Sequence, residues 1–417
     1  MSGGCCNSDC QGAAPLKPID EALEFLLAQA RPLRETERLP LGEALGRVLA
    51  QPLTSPIDVP PWDNSAMDGY AVKSADLGEG MTRLTVSQRI PAGVAGEPLQ
   101  AGTAARIFTG APIPPGADAV VIQEVCEPEG DEVVIRQPAG AGANVRLAGE
   151  DIQRGQEILR TGQRLAPQHI GLAASVGVAD LTVYRRLKVA LFASGDELVM
   201  PGNDLAPGQI FNSNQFTLDG LLRGLGCEVI QLGIVEDTLD ATCEALARGA
   251  RQADLVLASG GVSVGEEDHL KPAVERLGSL DLWKVAIRPG KPLAFGHIGE
   301  TPFLGSPGNP VSLFVTFCVF ARPYILRSQG VTGDLLPTPI EARAGFDWSR
   351  PDKRREYARA RLEPDSDGEA VVRLFPSRSS GVLSSVAWAN GLAVIPERQV
   401  VKQGDRVEFL PFSELLT

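Results

Sequence analysis

The chain has 417 residues, with 39 Lys and Arg against 52 Asp and Glu and a formal charge of −13. That length exceeds what one hydrophobic core organises, and it predicts two to four domains. Apolar residues at 43%, mean hydropathy near zero and a pI near 4.9 exclude extended disorder and a nucleic-acid-binding face, though not a local cationic pocket.

Residues 1–14 are Gly/Ser-rich and hold Cys5, Cys6 and Cys10. With no histidine or second cysteine pair beside them, they predict a disordered tail and no zinc site. The remaining cysteines (Cys126, Cys227, Cys243, Cys318) are scattered singly, as reduced thiols are. No basic-then-apolar leader opens the chain. The longest apolar run, 313–321, is about half a membrane span, so a cytoplasmic protein away from membranes is expected.

In chain order, residues 19–30 predict a helix, with Leu23, Leu26, Leu27 and Ala30 at helical spacing and Asp20 as its cap. Residues 41–50 predict a second helix. Pro52, Pro56, Pro60 and Pro61 then enforce an extended segment. Strands at 84–90, 105–109, 119–123 and 132–136 mark a β-rich insert over 55–150, and 167–176 reads as a helix. The flanking 15–54 and 151–183 form an elongated domain. From 184 to 332 the texture becomes α/β. Strands at 189–193, 228–232, 255–258, 284–287 and 293–295 alternate with helices at 214–225, 239–252 and 311–326. This predicts a parallel sheet with helices on both faces and ligands beyond the carboxyl ends of its strands. Residues 333–417 return to short strands and Gly/Pro turns, as in a small barrel or sandwich.

The loops after those strands carry the chemistry. Ser194-Gly195-Asp196-Glu197 follows the first strand, Glu236-Asp237-Thr238 the second, and Ser259-Gly260-Gly261-Val262-Ser263-Val264-Gly265-Glu266-Glu267-Asp268 the third. Lys284, Arg288 and Lys291 lie further on, before Ser306-Pro307-Gly308-Asn309-Pro310 opens the last helix. Glycines and hydroxyls at helix starts bind anions. The carboxylates Glu197, Asp237 and Asp268 beside such cradles suit a divalent cation bridging protein and phosphate. Each piece also has a plain structural reading: Asp237 as the cap of the following helix, Gly260-Gly261 and Pro289-Gly290 as simple turns. Gly261-Val262-Ser263-Val264-Gly265 also fits a nucleophile elbow, with Ser263 as nucleophile and His297 as the one downstream base.

Taken together, Asp63-Asn64-Ser65-Ala66-Met67-Asp68-Gly69-Tyr70, Ile107-Phe108-Thr109-Gly110-Ala111, Ser194-Gly195-Asp196-Glu197-Leu198, the Ser259–Gly265 loop and Ser306-Pro307-Gly308-Asn309-Pro310 occur in an order that resembles the molybdopterin molybdenumtransferase (MoeA) family, which includes the C-terminal domain of gephyrin. The resemblance covers the chain after about residue 15. It implies a four-domain homodimer with a shared active site, which moves molybdenum from molybdate to the dithiolene of adenylylated molybdopterin, with Mg²⁺, and releases AMP.

By motif, it implies that Glu197, Asp237 and Asp268 hold the metal, and that Lys284, Arg288 and Lys291 hold anions, the family usually carrying lysine where Arg288 stands. Ser194, Gly195, Gly260, Gly261, Ser263, Gly265, Ser306, Pro307, Gly308 and Pro310 would bind substrate. Asp68, Thr109 and Asp151 would be presented to the partner's cleft, and Arg359 and Ser384 would contact molybdate. A molybdopterin adenylyltransferase and cofactor-accepting molybdoenzymes are the implied partners. An adenylyltransferase-like enzyme, a gephyrin-like scaffold and a serine hydrolase stand as alternatives. The inserted and barrel domains favour the first reading over an adenylyltransferase.

Overall fold

The computed structural model describes residues 16–261, 269–290 and 292–416. The expected tail with Cys5, Cys6 and Cys10 lies outside them, as do Ser263, Gly265, Asp268 and Lys291. The chain forms two compact units. One gathers the chain up to Glu37, Gly46–Val48 and the chain from Tyr184; the other holds Arg38–Leu45 and Leu49–Val183.

The first unit opens with α1 (Ile19–Gln29), which buries Ile19, Ala22, Leu23 and Leu26, one stripe at helical spacing. Its cap is Pro18. Asp20, expected there, lies in the first turn and bonds both Arg355 guanidinium nitrogens at 2.9 Å.

The α/β part follows as β1 (Lys188–Ser194), α2 (Ser213–Gly224), β2 (Glu228–Val235), α3 (Leu239–Gln252), β3 (Leu255–Ser259), α4 (Leu270–Leu277), β4 (Gly278–Lys284), β5 (Pro292–Ile298) and β6 (Thr301–Ser306). Helix α5 (Pro310–Thr316) then runs through a wider turn at Phe317–Ala321 into α6 (Arg322–Ser328). The sheet order is β2-β1-β3-β6-β5-β4. Strands β2, β1, β3 and β6 are parallel, and β1 and β3 are near-continuous apolar runs because both their faces are covered.

The wholly parallel expectation is corrected at one edge, where β5 and β4 run antiparallel. Ile298 faces Thr301 across a turn of Gly299 and Glu300, and two residues are too few for a parallel crossover. The expected strand at 284–287 splits into the end of β4 and a short Ile287–Arg288 strand that pairs instead with the C-terminal sheet. Helix α4 escapes the periodicity reading because Pro272 interrupts it, yet proline in a first turn costs no helical hydrogen bond.

The run Pro310–Ser328 is the one described helical stretch long and apolar enough for a membrane span, and it is 94% buried inside the molecule. It forms the centre of the larger core with Phe295, whose ring meets Phe25 at 6.2 Å and Tyr324 at 5.5 Å, both edge-on.

The C-terminal strands β7 (Ile340–Ala344), β8 (Arg355–Pro364), β9 (Ala370–Leu374), β10 (Gly391–Ile395) and β11 (Arg406–Pro411) close a five-stranded barrel in the order β8-β9-β7-β11-β10-β8. Ala360, Val372, Ala393 and Phe409 fill it.

The second unit is built on a six-stranded sheet in the order Ala119–Ile122, Gly69–Val72, Thr103–Ile107, Thr82–Ile90, Glu132–Ile135, Cys126–Glu129. Alternate residues of one strand serve two small cores, with Tyr70 and Val72 in one and Ala71 in the other. The helix Pro167–Ser175 packs Ala173 against Leu49, Leu159 and Val183. The helix expected over 41–50 is absent. One turn of 3₁₀-helix spans Leu41–Glu43, Gly46 takes φ +75°, and Leu49 bridges Val183 as extended chain. Two glycines within ten residues oppose a helix there.

Phe295→Ala is expected to remove about 3–5 kcal/mol from the unit that contains it. Urea unfolding followed by tyrosine and tryptophan fluorescence measures this, and an unchanged midpoint would contradict the core assigned to Phe295.

Candidate functional site

Strands β1, β3 and β6 end in Ser194, Ser259 and Ser306. Ala193 stands opposite Ser259, and Ser259 opposite Ser306. All three serines are buried. From β1 the chain crosses to β2 on one side and returns past β1 to β3 on the other. Strand order therefore reverses between β1 and β3, where the loops part and leave a crevice. A cavity of about 870 Å³ opens there.

Of the residues expected at a site, Ser194, Gly195, Glu197 and Asp237 line one side of this cavity; Gly260, Gly261, Pro307, Gly308 and Pro310 line the other. The glycines are steric requirements. A Cβ on Gly260, at φ +89°, would sit 2.5 Å from the Ser194 carbonyl oxygen. On Gly195, at φ +151°, it would sit 2.6 Å from Glu197 Oε2. A side chain at Gly260 would force the strand ends apart, whereas at Gly195 the left-handed backbone is the constraint, since the Glu197 carboxylate can rotate aside.

Asp237 is not the helix cap. Thr238 caps α3, its Oγ1 accepting from the Ala241 N–H. Asp237 is left to accept a hydrogen bond from Ser194 Oγ at 3.0 Å, while its own N–H donates to Asp196 Oδ1 at 3.1 Å. Glu197 and Asp237 thus face one cavity as two carboxylates. Among the described residues no group of three or more His, Cys, Asp or Glu side chains gathers around a metal position.

Sequence reasoning passed over Asn212, Asn214 and Ser312, which also line the cavity. The available signal was Asn212-Ser213-Asn214 ahead of an amphipathic run, since Asn212 caps α2 by accepting from the Gln215 N–H at 3.2 Å. The starts of α2 and α5 therefore both present their positive ends to this space.

Of the expected cations, Lys291 lies outside the described residues, and Lys284 and Arg288 are placed away from the cavity. Arg288 donates to Asp352 at 2.7 Å and lies 3.4 Å from Glu356, which Arg378 also pairs at 2.7 Å. Hydrogen bonds from Arg354 and then Arg288 hold the Asp352 carboxyl far below the usual carboxylate range. Neither Arg288 nor Lys284 lines the cavity. Lys284 ends β4 opposite Pro292, and its carbonyl accepts from the Lys17 N–H.

Arg359, on β8, is 2% exposed and donates to Ser385 Oγ at 3.0 Å and to the Ser377 carbonyl at 2.7 Å. It braces the 379–385 loop, of which Ser380, Gly381 and Leu383 line the cavity. Burial pushes its pKa below the ordinary arginine value. Ser384 begins the helix Ser384–Trp388 and is exposed.

In the second unit, Asp68 and Thr109 meet. The Thr109 N–H and hydroxyl both donate to Asp68 Oδ1 at 2.8 Å, and these bonds lower the Asp68 pKa. Asp151 is exposed in that unit, its N–H donating to the Val59 carbonyl. For the nucleophile-elbow reading, Ser263 lies outside the described residues, and its one downstream base is engaged by a carboxylate. His297 faces Pro302 near the start of β6, about 13 Å along the strand from Ser306 at 3.3 Å per residue, and it bonds Asp281 at 3.1 Å.

Three sequence families match the chain: the MoeA N-terminal region (domain I and II) over residues 17–177, a probable molybdopterin binding domain over 190–327, and the MoeA C-terminal region (domain IV) over 341–412. A protein of Haemophilus influenzae named molybdopterin molybdenumtransferase is 39% identical over 404 residues, which cover 95% of this chain and 99% of the relative. One of the same name from Nostoc is 39% identical over 87% of this chain and 85% of its own length. Two crystal structures of the molybdopterin biosynthesis MoeA protein from Pyrococcus horikoshii superpose over 95% of this chain. Their TM-scores are 0.78 and 0.84, at 34% and 30% identity, with 99% and 100% of their own chains covered.

Gly260→Ala is expected to destabilise the first unit by about 1–2 kcal/mol or more, the left-handed conformation alone accounting for that much. A urea midpoint equal to wild type, with unshifted Ser194 and Ser306 amide resonances, would contradict the close approach.

Proposed function

The chain belongs to the molybdopterin molybdenumtransferase family, and we propose that it inserts molybdenum from molybdate into the dithiolene of adenylylated molybdopterin, with release of AMP. The observation that carries this reading is a single cavity of about 870 Å³ with N–H donors and carboxylates on its sheet side and, behind its other wall, a buried guanidinium that among the described residues hydrogen-bonds neutral oxygens.

The substrates ask for those features. A phosphoanhydride needs donors, which the starts of α2 and α5 and the glycine loops supply without moving. Two cavity carboxylates suit Mg²⁺, which binds through one or two carboxylates plus substrate phosphates; Glu197 and Asp237 would hold it. When bound, the ion offsets charge on the phosphate oxygens and makes water more acidic. Asp237, oriented by the Ser194 hydroxyl, holds and directs the water that cleaves the phosphoanhydride.

Molybdate is a tetrahedral dianion. Arg359 is a desolvated cation whose Nε and one terminal nitrogen are fixed on Ser385, Ser377 and Ser379, so an oxyanion beside it offsets a charge that burial disfavours. Arg288, already paired with Asp352 and Glu356, fixes the Arg288-Pro289-Gly290 turn rather than binding an anion.

The proposal extends to a cytoplasmic homodimer in which Asp68, Thr109 and Asp151 act in the partner's cleft. An adenylyltransferase would supply the substrate, and cofactor-accepting enzymes would take the product. Asp68 is suited to such a role because the two Thr109 bonds keep it ionised and in a fixed orientation while it remains exposed.

Asp237→Asn and Asp68→Asn are each expected to lower AMP release at least about tenfold. Mixing the two variants should restore activity toward about a quarter of wild type, since half the dimers are mixed and each of those carries one intact site. No recovery on mixing refutes the shared cleft; full activity of Asp237→Asn refutes its role. Arg359→Met is expected to raise the molybdate concentration for half-maximal insertion at least about tenfold, the loss of a charge-assisted hydrogen bond, with AMP affinity unchanged. An unchanged molybdate dependence overturns the anion assignment.

A further inference from the structure

Between β1 and α2 the chain makes two short strands, Leu198–Val199 and Ile210–Phe211, which pair in parallel with Leu198 opposite Ile210 and Val199 opposite Phe211. The Ile210 N–H donates to the Glu197 carbonyl at 2.8 Å and the Asn212 N–H to the Val199 carbonyl at 2.9 Å, so this backbone is tied to the loop that carries Glu197. Residues opposite in register share one face of a strand pair, and neighbours along a strand take opposite faces. Leu198 and Ile210 both line the cavity, whereas Val199 does not, so the face they share is the one turned to it. Phe211 borders the cavity from the other face of its strand. Ile210 is 54% exposed, the highest fraction among the large apolar side chains of the lining. Most of the other described lining residues are glycines, hydroxyls, carboxamides and carboxylates. A single exposed apolar side chain is ordinary. A pair on a fixed backbone, facing a polar cavity, is a surface prepared for apolar cover.

We propose that Leu198 and Ile210 form an apolar shelf against which one face of a fused heterocycle of the bound substrate packs, with Ile210 as a specificity-determining residue. This rests on the molybdenumtransferase reading. Phosphates and molybdate are strongly hydrated anions that gain nothing from aliphatic carbon. The pterin and the adenine have flat ring faces, and covering such a face frees water from both surfaces. The shelf therefore takes the heterocycle, while the helix starts and glycine loops hold the phosphates and Arg359 serves molybdate. Isoleucine suits the task because its branched side chain has few rotamers to lose when a ring covers it.

The test measures binding of molybdopterin, AMP and inorganic pyrophosphate to the full chain by calorimetry at several temperatures, with wild type, Ile210→Ala, Ile210→Val and Phe216→Ala. Ile210→Ala is expected to weaken at least one heterocyclic ligand about tenfold, the range for losing most of one apolar side chain from a contact, and to leave pyrophosphate within about twofold. The negative heat-capacity change on binding that ligand should shrink in step. Ile210→Val keeps the branch and should stay within about threefold of wild type. Phe216 is also 54% exposed but does not line the cavity, and Phe216→Ala should alter none of the three ligands. A molybdopterin loss identifies the pterin as the ring on the shelf, and an AMP loss identifies the adenine. The inference is overturned if Ile210→Ala leaves both heterocyclic ligands unchanged, if it weakens all three alike, or if Phe216→Ala reproduces its effect. A changed sedimentation coefficient for Ile210→Ala also overturns it, since that marks a contact between copies. Wild type that binds neither molybdopterin nor AMP overturns the functional reading and the inference together; wild-type binding with an indifferent Ile210→Ala overturns the inference alone.

Discussion

Parallel strands in a ladder stand about 4.8 Å apart, and the loops that leave β1, β3 and β6 must part within that spacing without leaving buried backbone groups unpaired. Gly260 makes this possible. It donates its N–H to the Ser306 carbonyl while its Cα passes the Ser194 carbonyl more closely than any side chain allows. Because the three strand ends are held together there, the loops carrying Glu197, Asp237 and Gly308 fan outward and open a cavity instead of closing over the sheet. The cavity thus follows from a backbone contact, and the groups around it inherit their positions from strands whose both faces are packed.

An acidic chain has to bind anionic substrates, and the distribution of partners among its arginines shows how. Arg288, Arg354, Arg355 and Arg378 each meet a carboxylate; Arg288 joins the α/β part to the C-terminal part, Arg355 joins that part to α1, and Arg354 and Arg378 pair within it. Arg359 differs. It bonds neutral oxygens, lies deeper than the others and is held to the loop that forms one cavity wall. A net charge of −13 therefore says little about the local field here. A buried cation hydrogen-bonded to neutral oxygens, near a buried Glu356 carboxylate already shared by Arg288 and Arg378, sets the local field more than distant surface carboxylates, which solvent screens.

Much of this was legible in the sequence where one physical cause dominated. Amphipathic spacing placed α1 and α3 to within a residue at each end, and Gly226, at φ +79°, ends α2 as its position suggested. Reading failed where two causes competed. Over 41–50 the apolar spacing was helical, but Gly42 and Gly46 favoured a turn. At the sheet edge, alternation of strand and helix implied parallel pairing until a two-residue turn between β5 and β6 ruled it out. Arg288 read as an unpaired cation because the carboxylates that pair it, Asp352 and Glu356, are over sixty residues distant in sequence. That Glu197 and Asp237 share one cavity was legible because loops after parallel strands must converge. The Asn214 side chain that spans Ser259 and the Gly308 carbonyl was not, since an asparagine near a helix start has the plain reading of a cap, and Asn212 already fills it.

The same reasoning separates residues that bind from residues that hold others in place. Ser194, Ser259 and Ser306 carry equivalent hydroxyls at equivalent strand ends, yet their uses diverge. Ser194 donates to Asp237, and Ser259 accepts from Asn214. Each thereby fixes the direction of one longer polar side chain, and so removes the rotamer freedom that binding would otherwise have to suppress. Side chains oriented in advance and buried away from bulk water lose little on meeting a ligand. Short hydroxyls on rigid strands, with the longer groups on a loop and a helix start, give the cavity reach without giving it slack.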